Sequence, residues 1–188
     1  MPKSVTFDRN QVMENVMKLF WKKGYNGTSM QDLVDVTGLN RSSFYNSFGD
    51  KFSLYEEALG YYQDQQMDAL NQFVSGYSSP KEAIISLFKG MTQTPASGPK
   101  MGCMVSKCTS ELSNVEPRIV PFLKENKDRV LNVFLRLIQE AQSKGEIDAQ
   151  KDAKTLALYL FANLQGVNIT SLLESDLEGV TDQVLESL

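Results

Sequence analysis

Apolar positions recur at three- and four-residue intervals along nearly the whole chain, the period of amphipathic helices, and no stretch alternates as a strand does. Val12, Val16, Leu19 and Phe20 predict a helix over 8–24, ended by Gly24 and Gly27. A second begins at Thr28, with Gln31 completing a capping box, and Gly38 interrupts it. Leu39-Asn40 leads into a third, ending near Phe48. A fourth opens at Gly49-Asp50 and carries Leu54, Tyr55, Ala58, Leu59, Tyr62 and Met67 towards Phe73. Ser79-Pro80-Lys81-Glu82 reads as a helix start: N-cap serine, proline in the first turn, glutamate closing the box. That fifth helix fades by Thr92, and 94–102 is a loop rich in Gly, Pro and Ser. A sixth helix is expected over 103–113, and a long one from Pro117 and Pro121 to Lys144-Gly145. A very apolar helix starts at Asp152, and a last one spans 176–188. The expectation is an all-α fold: a small front domain over 1–48 and a larger helical body over 49–188, joined by the helix that begins at 50.

Composition narrows the function. With 188 residues and 41% apolar side chains, the chain can bury a core and is not of disordered type. No run approaches the roughly 18 apolar residues of a membrane span, and the first ten residues hold no apolar signal core. Two cysteines make no disulfide scaffold, which suits a reducing cytoplasm. There is no histidine, which excludes Ser-His-Asp and Cys-His catalysis and His-ligated zinc. Two thiols alone make a poor metal site within one chain, so neither metal nor cofactor is expected. An enzyme is disfavoured further, because no GxSxG elbow or glycine-rich phosphate loop occurs.

Charge is unevenly spread. Residues 1–55 hold seven basic and five acidic side chains, whereas the remainder is acidic within an overall charge of −4. A basic head on an acidic body suits a head that meets a polyanion. Within it, residues 28–48 have the build of a helix-turn-helix, Gly38 allowing the sharp turn and Leu33, Val34, Leu39 and Phe44 locking the helices. The second motif helix then offers Asn40, Arg41, Ser42, Ser43, Tyr45 and Asn46, groups that reach base edges and phosphates, with no carboxylate from Gly38 to Gly49. Lys51 stands in a helix's first turn, where the dipole disfavours a cation unless a phosphate binds there, and Thr28 offers a similar site.

These residues resemble the TetR-type bacterial transcriptional regulators. The likeness is specific over 12–54: the first helix ending FWKKGYNGTSMQDL, then TGLN, then FYNSFGDKFSLY with its Tyr-x-x-Phe-x-x-Lys signature. Leu33-Val34 and Val36-Thr37-Gly38 depart from it, standing where the family usually has smaller alanines. By position, the resemblance implies that Thr28, Arg41, Ser43, Tyr45, Asn46 and Lys51 face a double-stranded DNA operator of palindromic half-sites. It also implies a helical body that binds an inducer and forms a homodimer. The helices at 121–143 and 152–173 are the expected interface, with Leu156, Leu160 and Leu164 as its stripe.

The body is rich in methionine and aromatic residues, which at helical spacing more often form core than pocket, although methionine suits an adaptable pocket; Met104, Phe134, Tyr159 and Asn163 are candidate effector residues. Cys103 is expected in the first turn of the sixth helix with Lys107 four residues on, both lowering a thiol pKa. Cys108 lies about 7.5 Å further along an ideal helix and points elsewhere, so the two cannot pair without unwinding. Gly102-Cys103-x-x-x-Lys107 and Ala162-Asn163-Leu164-Gln165 resemble the NemR-type branch of the family, whose cysteine responds to electrophiles and oxidants; Val167 departs from it. Two readings of Cys103 stay open, a sensor or a small buried hydrophobe. Of function, the leading expectation is a repressor released by a small molecule or by thiol modification. The alternatives are a protein-binding helical module and an enzyme acting on electrophiles.

Overall fold

The computed structural model describes residues 9–93, 101–174 and 176–188. Among them the chain forms α1 (Arg9–Lys23), α2 (Met30–Thr37), α3 (Arg41–Phe48), α4 (Lys51–Ser75), α5 (Pro80–Gln93), α6 (Met104–Leu112), α7 (Val120–Ser143), α8 (Ala153–Thr170) and α9 (Glu178–Glu186). A single 3-10 turn, Pro117–Ile119, leads into α7. No strand occurs among the described residues. Most of the loop expected at 94–102 lies outside the described residues.

Local chemistry accounts for the helix ends. Gly38 takes a left-handed φ of 68° and gives its N–H to the Val34 carbonyl, so α2 stops and the chain turns sharply into α3. Asn40, Asp50 and Asp152 cap α3, α4 and α8. At α5, Ser79 Oγ accepts the Glu82 N–H at 3.1 Å. Glu146 then takes the Lys81 N–H and the Ser79 hydroxyl, tying the turn between α7 and α8 to the start of α5.

Two cores lie along α4. The first gathers α1, α2 and α3 with Phe52 to Tyr62 of α4, and includes Met104, Cys108 and Leu112 of α6. Although far away in sequence, α6 therefore packs with the front domain. The second gathers Met67 and Val74 of α4 with α5, α7, α8 and α9, around Phe88, Phe134, Ile138 and Leu160. Met104 and Phe134, expected to line a pocket, are instead sealed core residues at 1% and 0% exposure. Removing such a ring, as in Phe134→Ala, costs about 3–5 kcal/mol.

Candidate nucleic-acid interface and effector cavity

The front domain presents α3. Asn40 Oδ1 accepts the Ser43 N–H at 2.9 Å, while Phe44 and Phe48 turn inward. That rotation leaves Arg41, Ser42, Tyr45 and Asn46 exposed and Ser43 half-buried. The Tyr45 ring stands edge-on to Phe44, 5.7 Å between centroids at 90°, which holds it upright on the surface. No ion pair among the described residues uses Arg41. The face is a row of donors with no carboxylate on its helix, suited to an anionic, hydrogen-bonding polymer.

Two expected DNA contacts sit differently. Thr28 is buried and its hydroxyl donates to the Gly24 carbonyl at 2.7 Å, closing the loop between α1 and α2. Ser29 caps α2 in its place: its Oγ accepts the Asp32 N–H and Asp32 Oδ2 accepts the Ser29 N–H at 2.8 Å. The box is thus Ser29–Asp32, not Thr28–Gln31, and Gln31 pairs with Asp35 on the surface. A hydrogen bond from Lys23, helped by Ser29, holds the Asp32 carboxyl down at about 2. Lys51 lies 4.4 Å over the Tyr25 ring, half-buried, and burial lowers its pKa. Asp50 already accepts the Ser53 N–H at 2.7 Å, so the start of α4 is not the vacant phosphate cradle expected.

Behind this face, α6 grips the α1–α2 loop. Trp21 Nε1 donates to the Gly102 carbonyl at 2.8 Å and Lys107 Nζ to the Trp21 carbonyl at 3.1 Å. Glu111 accepts the N–H groups of Tyr25 and Asn26 at 3.0 and 2.6 Å. None of these links is visible in the sequence, because each joins positions more than 80 apart to backbone atoms.

Cys103 is the N-cap of α6 and half-buried, and its side chain lies beside Tyr62. Lys107, whose ammonium donates to the Trp21 carbonyl, lines one cleft together with Cys103. Cys108 points into the first core, beside Tyr55, and burial pushes its thiol up to about 11. Two Tyr–Cys pairs thus link α4 to α6.

Between α4, α7 and α8 a cavity of about 380 Å³ is lined by Tyr62, Gln63, Met67, Cys103, Val130 and Leu164, among others. A neighbouring one of about 350 Å³ lies among α6, α7 and α8, against Ser106, Phe161 and Gln165, the last accepting a hydrogen bond from Ser106. Of the expected effector residues only Cys103 reaches the first cavity. Lys107 lines a shallow cleft beside it, and Met104, Cys108, Phe134, Tyr159 and Asn163 line neither. Tyr159 faces outward, and Asn163 gives its amide to the Tyr159 carbonyl. Tyr62 and Gln63 were missed; their place in the α4 periodicity reads as plain core. Among the described residues no group of His, Cys, Asp and Glu could hold a metal ion.

Two family models fit the chain: "Bacterial regulatory proteins, tetR family" over residues 13–58 and "Tetracyclin repressor-like, C-terminal domain" over 81–184. The chain belongs to the TetR family. It is 32% identical over 185 residues to the HTH-type transcriptional repressor ComR of Escherichia coli (strain K12), covering 92% of this chain and 83% of that one. It is 25% identical to the HTH-type transcriptional regulator YezE of Bacillus subtilis (strain 168), over 100% of this chain and 98% of YezE. Its fold matches a cysteine-substituted CifR solved with 26 bp operator DNA, at a TM-score of 0.83 and 23% identity over 97% of both chains. It also matches the reduced form of E. coli NemR, at 0.81 and 16% identity over 95% of this chain and 94% of NemR. This TetR-family protein is therefore a DNA-binding transcriptional regulator, not an enzyme. Its family acts on double-stranded operator DNA as dimers with small-molecule effectors. None of its described helices is long and apolar enough to cross a membrane.

Proposed function

We propose that this TetR-family regulator is a cytoplasmic repressor that reads its operator with α3 and leaves it when the body is occupied or Cys103 is modified. The observation that carries the reading is the exposed face of α3, on which Arg41, Ser42, Tyr45 and Asn46 stand free of carboxylates on their own helix. Arg41 reaches a guanine edge; Tyr45, Ser43 and Asn46 meet phosphates or base edges, and Lys51 approaches the backbone from its seat on Tyr25. Thr28 acts only from within, by shaping the loop. Residues 1–48 form the reading unit and 49–188 the sensing unit.

Dimerisation falls to α8. Leu158, Tyr159 and Ile169 are 54%, 39% and 50% exposed, an apolar row that water would not favour. The stripe expected from Leu156, Leu160 and Leu164 turns inward instead, with Leu160 sealed in the second core and the other two against it. The outward positions of α7, such as Lys124, Asp128 and Arg136, are charged.

Release has two routes in this reading. A small molecule enters the cavity beside Tyr62, or an electrophile adds to Cys103, as expected of a NemR-like thiol. In the second, the thiolate sulfur forms a bond to the β-carbon of an unsaturated carbonyl, the carbon–carbon π bond opens, and a water proton ends on the α-carbon. The test is anisotropy with DNA from upstream of the chain's own gene and its neighbours. Binding that weakens steeply with salt and is lost in Arg41→Ala supports the reading; salt-insensitive binding to protein alone overturns it.

A further inference from the structure

Gln63 lies on α4, 4% exposed, and its Nε2 has no hydrogen-bond partner among the described residues. Buried amide N–H groups are almost always paired, because nothing inside the protein repays the lost water. Gln63 is one of the residues lining the cavity of about 380 Å³, a volume within the range of roughly 300–1,000 Å³ typical of small-molecule sites, so a turn of its side chain brings the amide to the cavity. No Asp, Glu, Lys or Arg lines that cavity among the described residues. The rest of the wall is mainly apolar and adaptable, with Met67, Phe73, Met91 and Val130, and carries further neutral polar groups on Gln66, Asn126 and Asn168.

We propose that this cavity is a binding site for a neutral, mainly apolar molecule bearing a carbonyl oxygen, which accepts a hydrogen bond from Gln63 Nε2. An amide nitrogen only donates, so the ligand must bring an acceptor. A carboxylate is disfavoured, because the wall offers it neutral donors but no cation to offset its lost hydration. A pure hydrocarbon fills the cavity but leaves the donor unpaired. The site deepens the effector part of the repressor reading and rests on it only for the consequence. Gln63 stands on the helix whose first residue, Lys51, adjoins the DNA-reading unit, so filling the cavity bears on α4 directly.

The test is equilibrium dialysis of the full chain, without DNA, against 2-acetylnaphthalene, 2-ethylnaphthalene and 2-naphthoate. The ketone should bind about tenfold tighter than the hydrocarbon, and the naphthoate weakest. Gln63→Leu and Gln63→Met, each checked for native helicity, should remove the ketone's advantage while hydrocarbon affinity holds or rises. Equal binding of ketone and hydrocarbon, naphthoate binding as tightly as the ketone, an advantage that survives both variants, or no binding overturns the site. Operator release is measured separately by anisotropy. If the ketone binds with the expected discrimination but leaves DNA bound, the site stands and release through this cavity fails.

Discussion

The Glu111 carboxylate accepts the Asn26 backbone N–H at 2.6 Å, and with its other oxygen the Tyr25 N–H at 3.0 Å. One side chain of α6 thereby pins the loop that orients the DNA-reading helices. Charge-assisted hydrogen bonds contribute about 1.5–3 kcal/mol each when buried, and this pair is only partly so. Glu111→Ala should lower stability by about 2 kcal/mol in urea unfolding followed through Trp21, the only tryptophan. Gly24→Ala should be at least as harmful: its φ is +74°, and an added Cβ would lie 2.9 Å from Glu111 Oε2. A Gly24→Ala chain as stable as the parent would show that the loop is not held in this conformation.

On DNA, Arg41→Ala should relax sequence preference, with a loss of about 1–3 kcal/mol confined to cognate operator. Tyr45→Ala and Lys51→Ala should instead weaken binding to all sequences, and Lys51→Ala should reduce the salt slope by about one. Thr28→Val should leave the salt slope unchanged, because the hydroxyl bonds to Gly24 inside the loop. Anisotropy titrations at several salt concentrations separate these outcomes.

Most of this was legible in the sequence for a physical reason: helices are local. The Gly38 turn, the Ser79-Pro80 start and the inward Leu33, Leu39 and Phe44 follow from spacing and turn chemistry within a few residues. The cap on α2 was misplaced by one position because Thr28 and Ser29 are adjacent and equally able to cap; tertiary burial decided between them. Lys107 shows a different limit. Helical spacing places it one turn from Cys103, but its hydrogen bond to a carbonyl contributed by α1 is long-range, and no local pattern foretells that. Gln63 was invisible because its significance lies in a hydrogen-bond partner that it lacks among the described residues.

The two thiols should separate cleanly in labelling. Cys108 is fully buried with its thiol pushed up to about 11, so at pH 7 almost none is thiolate. N-ethylmaleimide should label one site per folded chain, Cys103, and reach Cys108 only on unfolding. Because burial both blocks access and raises its pKa, Cys108 labelling should follow the unfolded fraction as urea is added. Mass spectrometry of labelled peptides showing Cys108 modified first at pH 7 would contradict its burial.

Assembly should depend on α8. Leu158→Glu or Ile169→Glu places a charge in the exposed apolar row without touching either core, so each folded chain should sediment as a monomer where the parent is a dimer. Operator affinity should then fall much further than fold stability, because two reading heads about one helical turn apart multiply specificity. A dimer that survives both substitutions would move the interface elsewhere.

The Ser29–Asp32 box supplies a pH test with a defined sign. Lys23 and Ser29 hold the Asp32 carboxyl at about 2, below the ordinary 3.8, so the folded state favours its ionised form. Its stabilising effect is therefore complete above pH 4 and is lost as pH falls through about 2. Asp32→Asn keeps an acceptor but removes the charge that meets Lys23 at 2.7 Å. That variant should be less stable than the parent at pH 6, with the gap closing as pH falls through about 2, read as converging urea midpoints. Ser29→Ala removes the other half of the box and should cost about 1 kcal/mol at pH 6. Because α2 buries only Leu33 and Thr37 in its two turns, loss of its cap should loosen this helix before the rest of the domain. Amide exchange at Leu33, whose N–H donates to the Ser29 carbonyl, should therefore accelerate in Ser29→Ala while exchange in α7 does not change. Equal acceleration in both helices would mean that α2 opens only with the whole chain.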